Sequence, residues 1–474
     1  MSGRHIDCST HDAMAMVSTG ASDWAEAFRE LKPPMGTDQA LAEANRCLFC
    51  YDAPCTRACP THIDVPGFIK KIATGNLRGS ARTILEANIL GASCARVCPT
   101  EVLCEGACVL HDLHEKPIDI GRLQRHATDW VIDKNERLFA PGLPRGQRVA
   151  IVGGGPAGLG CAAELAQLGY PVVVFEAGTL PGGLNTLGVA DYKMTSAMAL
   201  REIEWVRELG IEVRLGVRIV PGPAGDEAGD AVTLGTLEAR FDAIFLGVGL
   251  GAVRRLGIPG EDLDGVRDAL ELIAELKTDK AGAAGGLGRR VVVIGGGNTA
   301  IDAATQSVRL GAEEVTLVYR RGPEEMTAYA HEIALARRDG VRFAFRLAPV
   351  AVVGDARVEG LRVVRLEPEG RTDASGRRLY ALVPGSETVL PADTVIKATG
   401  QAARDELLAA IPGLVLDGSR PVHDPLTMQT SNPRYFTGGD AANGGKEVVN
   451  AVAEGKRGAR GIDRVLRRKE AARG

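Results

Sequence analysis

Two glycine-rich turns of one design, strand-like and helix-like segments alternating after Arg145, and eight cysteines crowded between Cys47 and Cys108 set the fold class. They predict an α/β chain with two Rossmann-like dinucleotide-binding domains, the second inserted in the first, preceded by an α-helical domain that carries the cysteines. The expected spans are 1–145 for the helical domain, 146–284 and 395–474 for the two parts of the first dinucleotide-binding domain, and 285–394 for the inserted one.

The 474 residues suffice for about three domains with buried cores, so disulfides are not needed for folding. Hydrophobic residues at 45% and charged residues at 24% are ordinary for a globular protein, whereas 59 glycines point to many tight turns and close backbone approaches to a ligand. A formal charge of -4 gives no basic field, which excludes nucleic acid and anionic membrane surfaces as expected partners. Met1 to Gly20 has no cationic segment leading into an apolar core, and no later apolar run is long enough to span a bilayer. The expected location is therefore the cytoplasm, where reduced thiols are better explained by metal than by disulfides.

In the helical zone, Phe68 to Leu90 places apolar residues at helical spacing. Leu138 to Gln147 (LFAPGLPRGQ) reads as a linker, and Gly222 to Gly235 and Lys280 to Gly288 as surface loops. Beyond the linker, Arg148–Leu159 (RVAIVGGGPAGL) is echoed by Arg290–Ile301 (RVVVIGGGNTAI): an apolar run, three glycines, then a helix-forming segment. The chain is expected to return to the first domain near Ala398.

In the first turn, Gly153, Gly155 and Gly158 form G-x-G-x-x-G between a strand and the helix Pro156 to Leu168. The first glycine permits the turn, the second lets backbone approach a pyrophosphate at the helix N-terminus, and the third allows helix and strand to pack closely. Glu176, ending the next strand (PVVVFE), is placed for a ribose hydroxyl. In the second turn, Gly295, Gly297 and Ala300 give the G-x-G-x-x-A variant, but the following strand (VTLVYRR) ends in Arg320 and Arg321 where an acid would select NADH. Guanidinium groups there suit a 2′-phosphate and favour NADPH; the bland alternative is solvated surface charge. Two nucleotide sites in one chain suit hydride transfer between a nicotinamide and a flavin, a step that needs no acid or base from the protein.

The cysteines read Cys47-x2-Cys50-x4-Cys55-x3-Cys59-Pro60, then Cys94-x3-Cys98-Pro99, then Cys104-x3-Cys108. Close cysteines followed by a cysteine beside proline follow the layout of two-cluster ferredoxins, so two [4Fe-4S] clusters are expected. Zinc is the alternative, weakened because only one C-x2-C pair is present. Spacing alone places Cys94 with Cys98. Cys8 and Cys161 read as plain thiols, and His62, His111, His114 and His126 show no ligand spacing.

Cys47 to Ala127 (CLFCYDAPCTRACPTHIDVPGFIKK…ARVCPTEVLCEGACV…IGRLQRHA) closely resembles the N-terminal iron-sulfur domain of dihydropyrimidine dehydrogenase. The likeness continues through both glycine turns, GGLNTLGVADYK (Gly182 to Lys193), KATGQ (Lys397 to Gln401) and FTGGDAANGGKEVVNAVAEGK (Phe436 to Lys456), and it covers nearly the whole chain. The small subunit of glutamate synthase is similar in architecture and more distant. The resemblance implies Cys47, Cys50, Cys55 and Cys108 as ligands of one cluster, and Cys59, Cys98, Cys104 and Gln124 of the other, with Cys94 then a spare thiol. For FAD it implies Gly153, Gly155, Pro156, Ala157, Gly158, Glu176, Gly183, Leu184, Lys193, Gly439 and Asp440. For the nicotinamide nucleotide it implies Gly296, Gly297, Asn298, Thr299, Arg320, Arg321, Ala398, Thr399 and Gly400. A further family arginine for the 2′-phosphate falls on Thr327, which leaves NADPH against NADH open.

Single-chain dihydropyrimidine dehydrogenase continues into an FMN barrel and a second ferredoxin module, and this sequence stops at Gly474. The expectation is an electron-input subunit of a two-chain enzyme that oxidises NAD(P)H through FAD and two [4Fe-4S] clusters. Its partner would be an FMN- and iron-sulfur-containing catalytic subunit that reduces uracil or thymine to the 5,6-dihydro form. The rivals are a glutamate synthase small subunit, an NAD(P)H:ferredoxin oxidoreductase, and a non-enzymatic nucleotide-sensing protein with degenerate sites.

Overall fold

The structure is a computed structural model that describes residues 21–225, 229–373 and 376–472. Cys8 lies outside them. Helices Thr37–Asn45, Val65–Ala73, Leu77–Ala87, Gly91–Val97 and Ile120–Lys134 form the first zone. They pack around Phe68, Ile69, Ile84, Leu90 and Leu123, all fully buried. The helical pattern from Phe68 to Leu90 is two helices rather than one. Gly75 takes the left-handed conformation at φ +75, and Asn76 then starts the second helix by accepting the Gly79 N–H at 2.8 Å. Residues 138–147, the expected linker, form no helix or strand.

The first parallel sheet orders Tyr435–Thr437, Ala243–Leu246, Val149–Val152, Val172–Glu176 and Glu212–Leu215. Every residue of its central strand VAIV is buried, as a parallel strand covered by helices on both faces requires. The final helix, Val448–Ala471, packs on Pro156–Gln167. Gly455 permits that approach, because a Cβ there would lie 2.1 Å from the Ala157 carbonyl oxygen. The chain's end therefore completes the domain that its first glycine turn begins.

The second parallel sheet orders Arg342–Phe345, Glu314–Tyr319, Arg290–Ile294, Thr394–Lys397 and Val266–Asp268. It draws on more of the chain than the expected span 285–394. Val266–Asp268 pairs along the edge of Thr394–Lys397, so the crossing into the inserted domain comes before residue 266 and the return after residue 397. An antiparallel unit, Leu347–Val353, Gly360–Thr372, Arg378–Leu382 and Thr388–Pro391, lies within this part of the chain. Two expected loops carry structure: Ala231–Thr233 is a short strand, and Lys280–Gly285 is a helix that Asp279 caps by accepting the Gly282 N–H.

Candidate cofactor sites

A cavity of about 490 Å3 opens between the two sheets, a size usual for a cofactor site. Gly153, Gly155, Pro156, Ala157, Glu176, Gly183, Leu184, Lys193, Gly439 and Asp440 line it from the first domain, and Asn298 and Thr299 from the second. The remaining wall that matters is Val97 and Pro99, the two neighbours of Cys98.

The first turn is built as its spacing predicts. Gly153 has φ +100, and a Cβ on Gly158 would come within 2.0 Å of the Gly153 carbonyl oxygen, whereas Gly155 has nothing within 4 Å of that position. The helix Pro156–Gln167 begins at Gly155 with no side chain capping its N–H groups, which leaves them for an anionic ligand. The Glu176 carboxylate accepts the N–H groups of Gly154 at 2.8 Å and Gly178 at 2.7 Å, so the acid is fixed at the cavity wall. Burial raises the Asp440 carboxyl above its ordinary value.

The second turn is also uncapped at the start of Asn298–Arg309. It is braced from one side: the Gly296 carbonyl accepts the N–H groups of Thr327 and Ala328 at 3.1 Å, and Asn298 Oδ1 accepts that of Tyr329 at 3.0 Å. Gly296, Gly297, Arg320, Arg321, Ala398, Thr399 and Gly400 do not line the cavity. Ala398 closes against the turn, donating its N–H to the Ile294 carbonyl at 2.9 Å, and Thr399 and Gly400 are exposed. Arg320 is exposed and Arg321 half-buried, and neither forms an ion pair within 4 Å among the described residues. Thr327, where the family's further arginine would fall, packs its hydroxyl on this turn at 3.4 Å from the Gly296 carbonyl.

The cysteines gather into two groups. Cys47, Cys50, Cys55 and Cys108 line one small pocket whose other walls are Leu48, Pro54, Val65, Pro66, Ile69, Ala107, Val109, Leu110, Ile118 and Ile120. Burial pushes the Cys55 thiol up to about 11, with Cys47 and Cys108 beside it. A hydrogen bond with Cys94 raises the Cys98 thiol, burial adds to it, and Cys104 and Cys59 lie close enough to contribute. Cys104 is raised by burial first and then by Glu105, with Cys59 and Cys55 also near. Gln124 is buried and gives its Nε2 to the Gly91 carbonyl at 2.7 Å. Among the described residues, no three His, Cys, Asp or Glu side chains are spaced for a single metal ion. Four sulfur donors around an apolar pocket that offers no oxygen ligand fit a thiolate-held iron-sulfur cluster.

Residues 24–136 match the family described as dihydropyrimidine dehydrogenase domain II, 4Fe-4S cluster, and residues 147–455 match pyridine nucleotide-disulphide oxidoreductase. The chain belongs to the pyridine nucleotide-disulphide oxidoreductase family. The glutamate synthase [NADPH] small chain of Halomonas elongata is 38% identical over an alignment of 455 residues that covers 92% of this chain and 93% of that one. The NAD-dependent dihydropyrimidine dehydrogenase subunit PreT of Escherichia coli K12 is 34% identical over 437 residues, 92% of this chain and 97% of that one. Mycobacterium tuberculosis FprA in complex with NADPH shares the fold, with a TM-score of 0.55 and 23% identity over 69% of this chain and 86% of that one. The chain is thus an NAD(P)H-dependent flavin and iron-sulfur oxidoreductase of the electron-transfer type. Among its described residues, no helix is long and apolar enough to cross a membrane.

Lys193 of this oxidoreductase is legible in the sequence, but its pairing with Asp302 and Glu332 is not. Its ammonium lies 2.7 Å from Asp302 and 2.6 Å from Glu332, both on the second domain, and all three side chains line the cavity and are nearly buried. Tyr192 donates to Asp302 at 2.9 Å, and Tyr329 donates to Glu447 at 2.5 Å. Burial would lower the Lys193 ammonium, but the two carboxylates outweigh it and leave the group at about 12. Burial pushes the Glu332 carboxyl up to about 7. Asp302 carried one legible signal, an acid a single helical turn beyond Asn298; Glu332 and Asn185 carried none.

Proposed function

We propose that this chain is the electron-input subunit of a two-chain dihydropyrimidine dehydrogenase. The observation that carries the input role is the cavity itself, bounded at once by the first glycine turn, by Asn298 and Thr299 at the start of the helix after the second, and by the residues on either side of Cys98. When bound, a flavin accepts a hydride and releases electrons singly, and iron-sulfur clusters carry them one at a time.

The residues divide that work. Gly153, Gly155, Pro156, Ala157 and Gly158 hold the FAD pyrophosphate, Glu176 the ribose, and Gly183, Leu184, Lys193, Gly439 and Asp440 the remainder. Gly296, Gly297, Asn298, Thr299 and Ala398 to Gly400 seat NAD(P)H, with Arg320 and Arg321 taking the 2′-phosphate of NADPH. Val97 and Pro99 close the cavity on the cysteine side and exclude water from the step to Cys98. Cys59, Cys98 and Cys104 hold the nearer of two clusters, with Gln124 or Cys94 in the fourth position. Cys47, Cys50, Cys55 and Cys108 hold the farther one, which the Cys55 and Cys104 neighbourhood joins to the first.

The pyrimidine-reducing partner rests on the sequence likeness in the cysteine domain and on relatives such as PreT. A second reading, a glutamate synthase partner, is favoured by 38% identity to glutamate synthase small chains. The test is NAD(P)H oxidation by the anaerobically prepared chain mixed with each partner. Oxidation coupled to uracil supports the first reading, and oxidation that requires glutamine and 2-oxoglutarate replaces it with the second. A preparation without flavin, iron and sulfide overturns both.

A further inference from the structure

Asn185 is 1% exposed and lines the cavity. Its Nδ2 donates to Ser93 Oγ at 2.9 Å. The Ser93 hydroxyl in turn donates to the buried Glu202 carboxylate, which also accepts the backbone N–H groups of Ala92 at 2.7 Å and Ser93 at 3.0 Å. A hydroxyl has one proton, and with that proton committed to Glu202, Ser93 can only accept from Asn185. The amide is therefore locked with its nitrogen toward Ser93, and its oxygen must face elsewhere. That oxygen, Oδ1, is buried without any hydrogen-bond partner. Buried acceptors are nearly always satisfied, so an orphan on a cavity wall marks the place of a donor brought by a ligand.

The location narrows the donor. Glu176 and the first glycine turn occupy the ribose and pyrophosphate end of the cavity, whereas Asn185 is tied to Ser93 on the helix Gly91–Val97, whose last residue Val97 also lines the cavity. This is the wall nearest Cys98, where the ring of a flavin must lie to deliver electrons. Two-electron reduction of a flavin adds an N–H to the ring, so a fixed acceptor here binds the reduced ring more tightly than the oxidised one.

We infer that Asn185 is a flavin-contact residue whose Oδ1 accepts a hydrogen bond from an N–H that the ring gains on reduction. Ser93 and Glu202 are positioning residues that hold the amide with its nitrogen toward Ser93 and leave Oδ1 unpaired. The inference rests on the proposed FAD site.

The experiment is a spectroelectrochemical titration of the flavin in the intact, cluster-loaded protein, with iron and FAD contents measured alongside. It is run at pH 8, above the value of about 7 to which burial pushes the Glu202 carboxyl. Asn185→Leu and Asn185→Ala remove the acceptor. A roughly tenfold loss of preference for the reduced ring lowers the midpoint potential by about 30 mV for a two-electron couple. Ser93→Ala frees the amide to turn and shifts the potential in the same direction by less. Loss of FAD from both Asn185 variants with iron content intact also supports the contact. Potentials within about 10 mV of the parent overturn it, as does joint loss of FAD and iron, which marks Asn185 as a structural residue. A parent protein that releases no flavin on denaturation sinks the FAD reading itself, whereas a flavin-loaded parent with unshifted variants sinks only this inference.

Discussion

Replacing Lys193 with methionine tests whether the two dinucleotide-binding domains are joined through the ion cluster at the cavity. Lys193 is raised from 10.5 to about 12, a difference worth about 2 kcal/mol at 1.36 kcal/mol per pH unit. Because the folded value lies above the unfolded one, this stability is fully present below pH 10.5 and is lost only as pH rises through about 12. Removing the lysine also leaves Asp302 and Glu332 buried and uncompensated, and breaking a buried pair in this way costs about 3–5 kcal/mol. Glu332 has the same sign but acts at lower pH. Its folded value of about 7 lies above its ordinary 4.5, so the stability tied to its protonation is present at low pH and lost as pH rises through about 7. In the variant that value climbs further, and the deficit is largest near pH 8 and shrinks toward pH 6. At roughly 2–4 °C per kcal/mol for a domain of this size, thermal unfolding followed by fluorescence should fall by about 10 °C at pH 8 and clearly less at pH 6. A melting temperature within about 2 °C of the parent at pH 8, or an equal deficit at both pH values, would refute the reasoning.

Gly158→Ala places a methyl group 2.0 Å from the Gly153 carbonyl oxygen, so the first turn must open; the FAD content should drop at least about tenfold while iron content holds, read from absorbance and iron assays on one sample. Cys108→Ser should remove the farther cluster and Cys98→Ser the nearer, each halving the iron; whichever of Cys94→Ser and Gln124→Ala also halves it supplies the fourth ligand of the nearer cluster. Arg320→Ala and Arg321→Ala should together raise KM for NADPH about tenfold and leave KM for NADH unchanged, since only the former carries the 2′-phosphate. Equal effects on both nucleotides would reduce the arginines to surface charge.

The glycine turns and Glu176 were legible because a dinucleotide turn is specified within about 30 consecutive residues, each constrained by a local contact. The insertion was legible because the motif occurs twice. Its borders were not: Val266–Asp268 is three residues long, too short to show periodicity, and its place is fixed by pairing with Thr394–Lys397 far along the chain. The thiol groups follow the same division. Spacing brought Cys47, Cys50 and Cys55 together, but that Cys108 closes their pocket follows from how the helices pack, and the resemblance supplied it. Asn185 and Glu332 had no signal at all. Each is an ordinary residue in a segment of its kind, and its meaning comes from a partner about a hundred residues away: Ser93 for Asn185, and Lys193 for Glu332.

The segment from Ala190 to Met194 shows why those distant partners matter. Asp191 donates its N–H to Gln306 at 3.0 Å and pairs with Lys280 at 2.7 Å, Tyr192 and Lys193 bind Asp302, and the Met194 carbonyl accepts from Lys277 at 2.7 Å. Four successive residues of the first domain are thus bonded to the second, and Lys193 is the one that also faces the cavity. Such a seam ties together the two domains that bring Asn298, Thr299 and the first glycine turn to one cavity. Hydride transfer depends on donor and acceptor meeting at close range in a fixed orientation. In this chain buried ion pairs cross between the two domains at the cavity, which is why one lysine is expected to govern both stability and the geometry of the cavity.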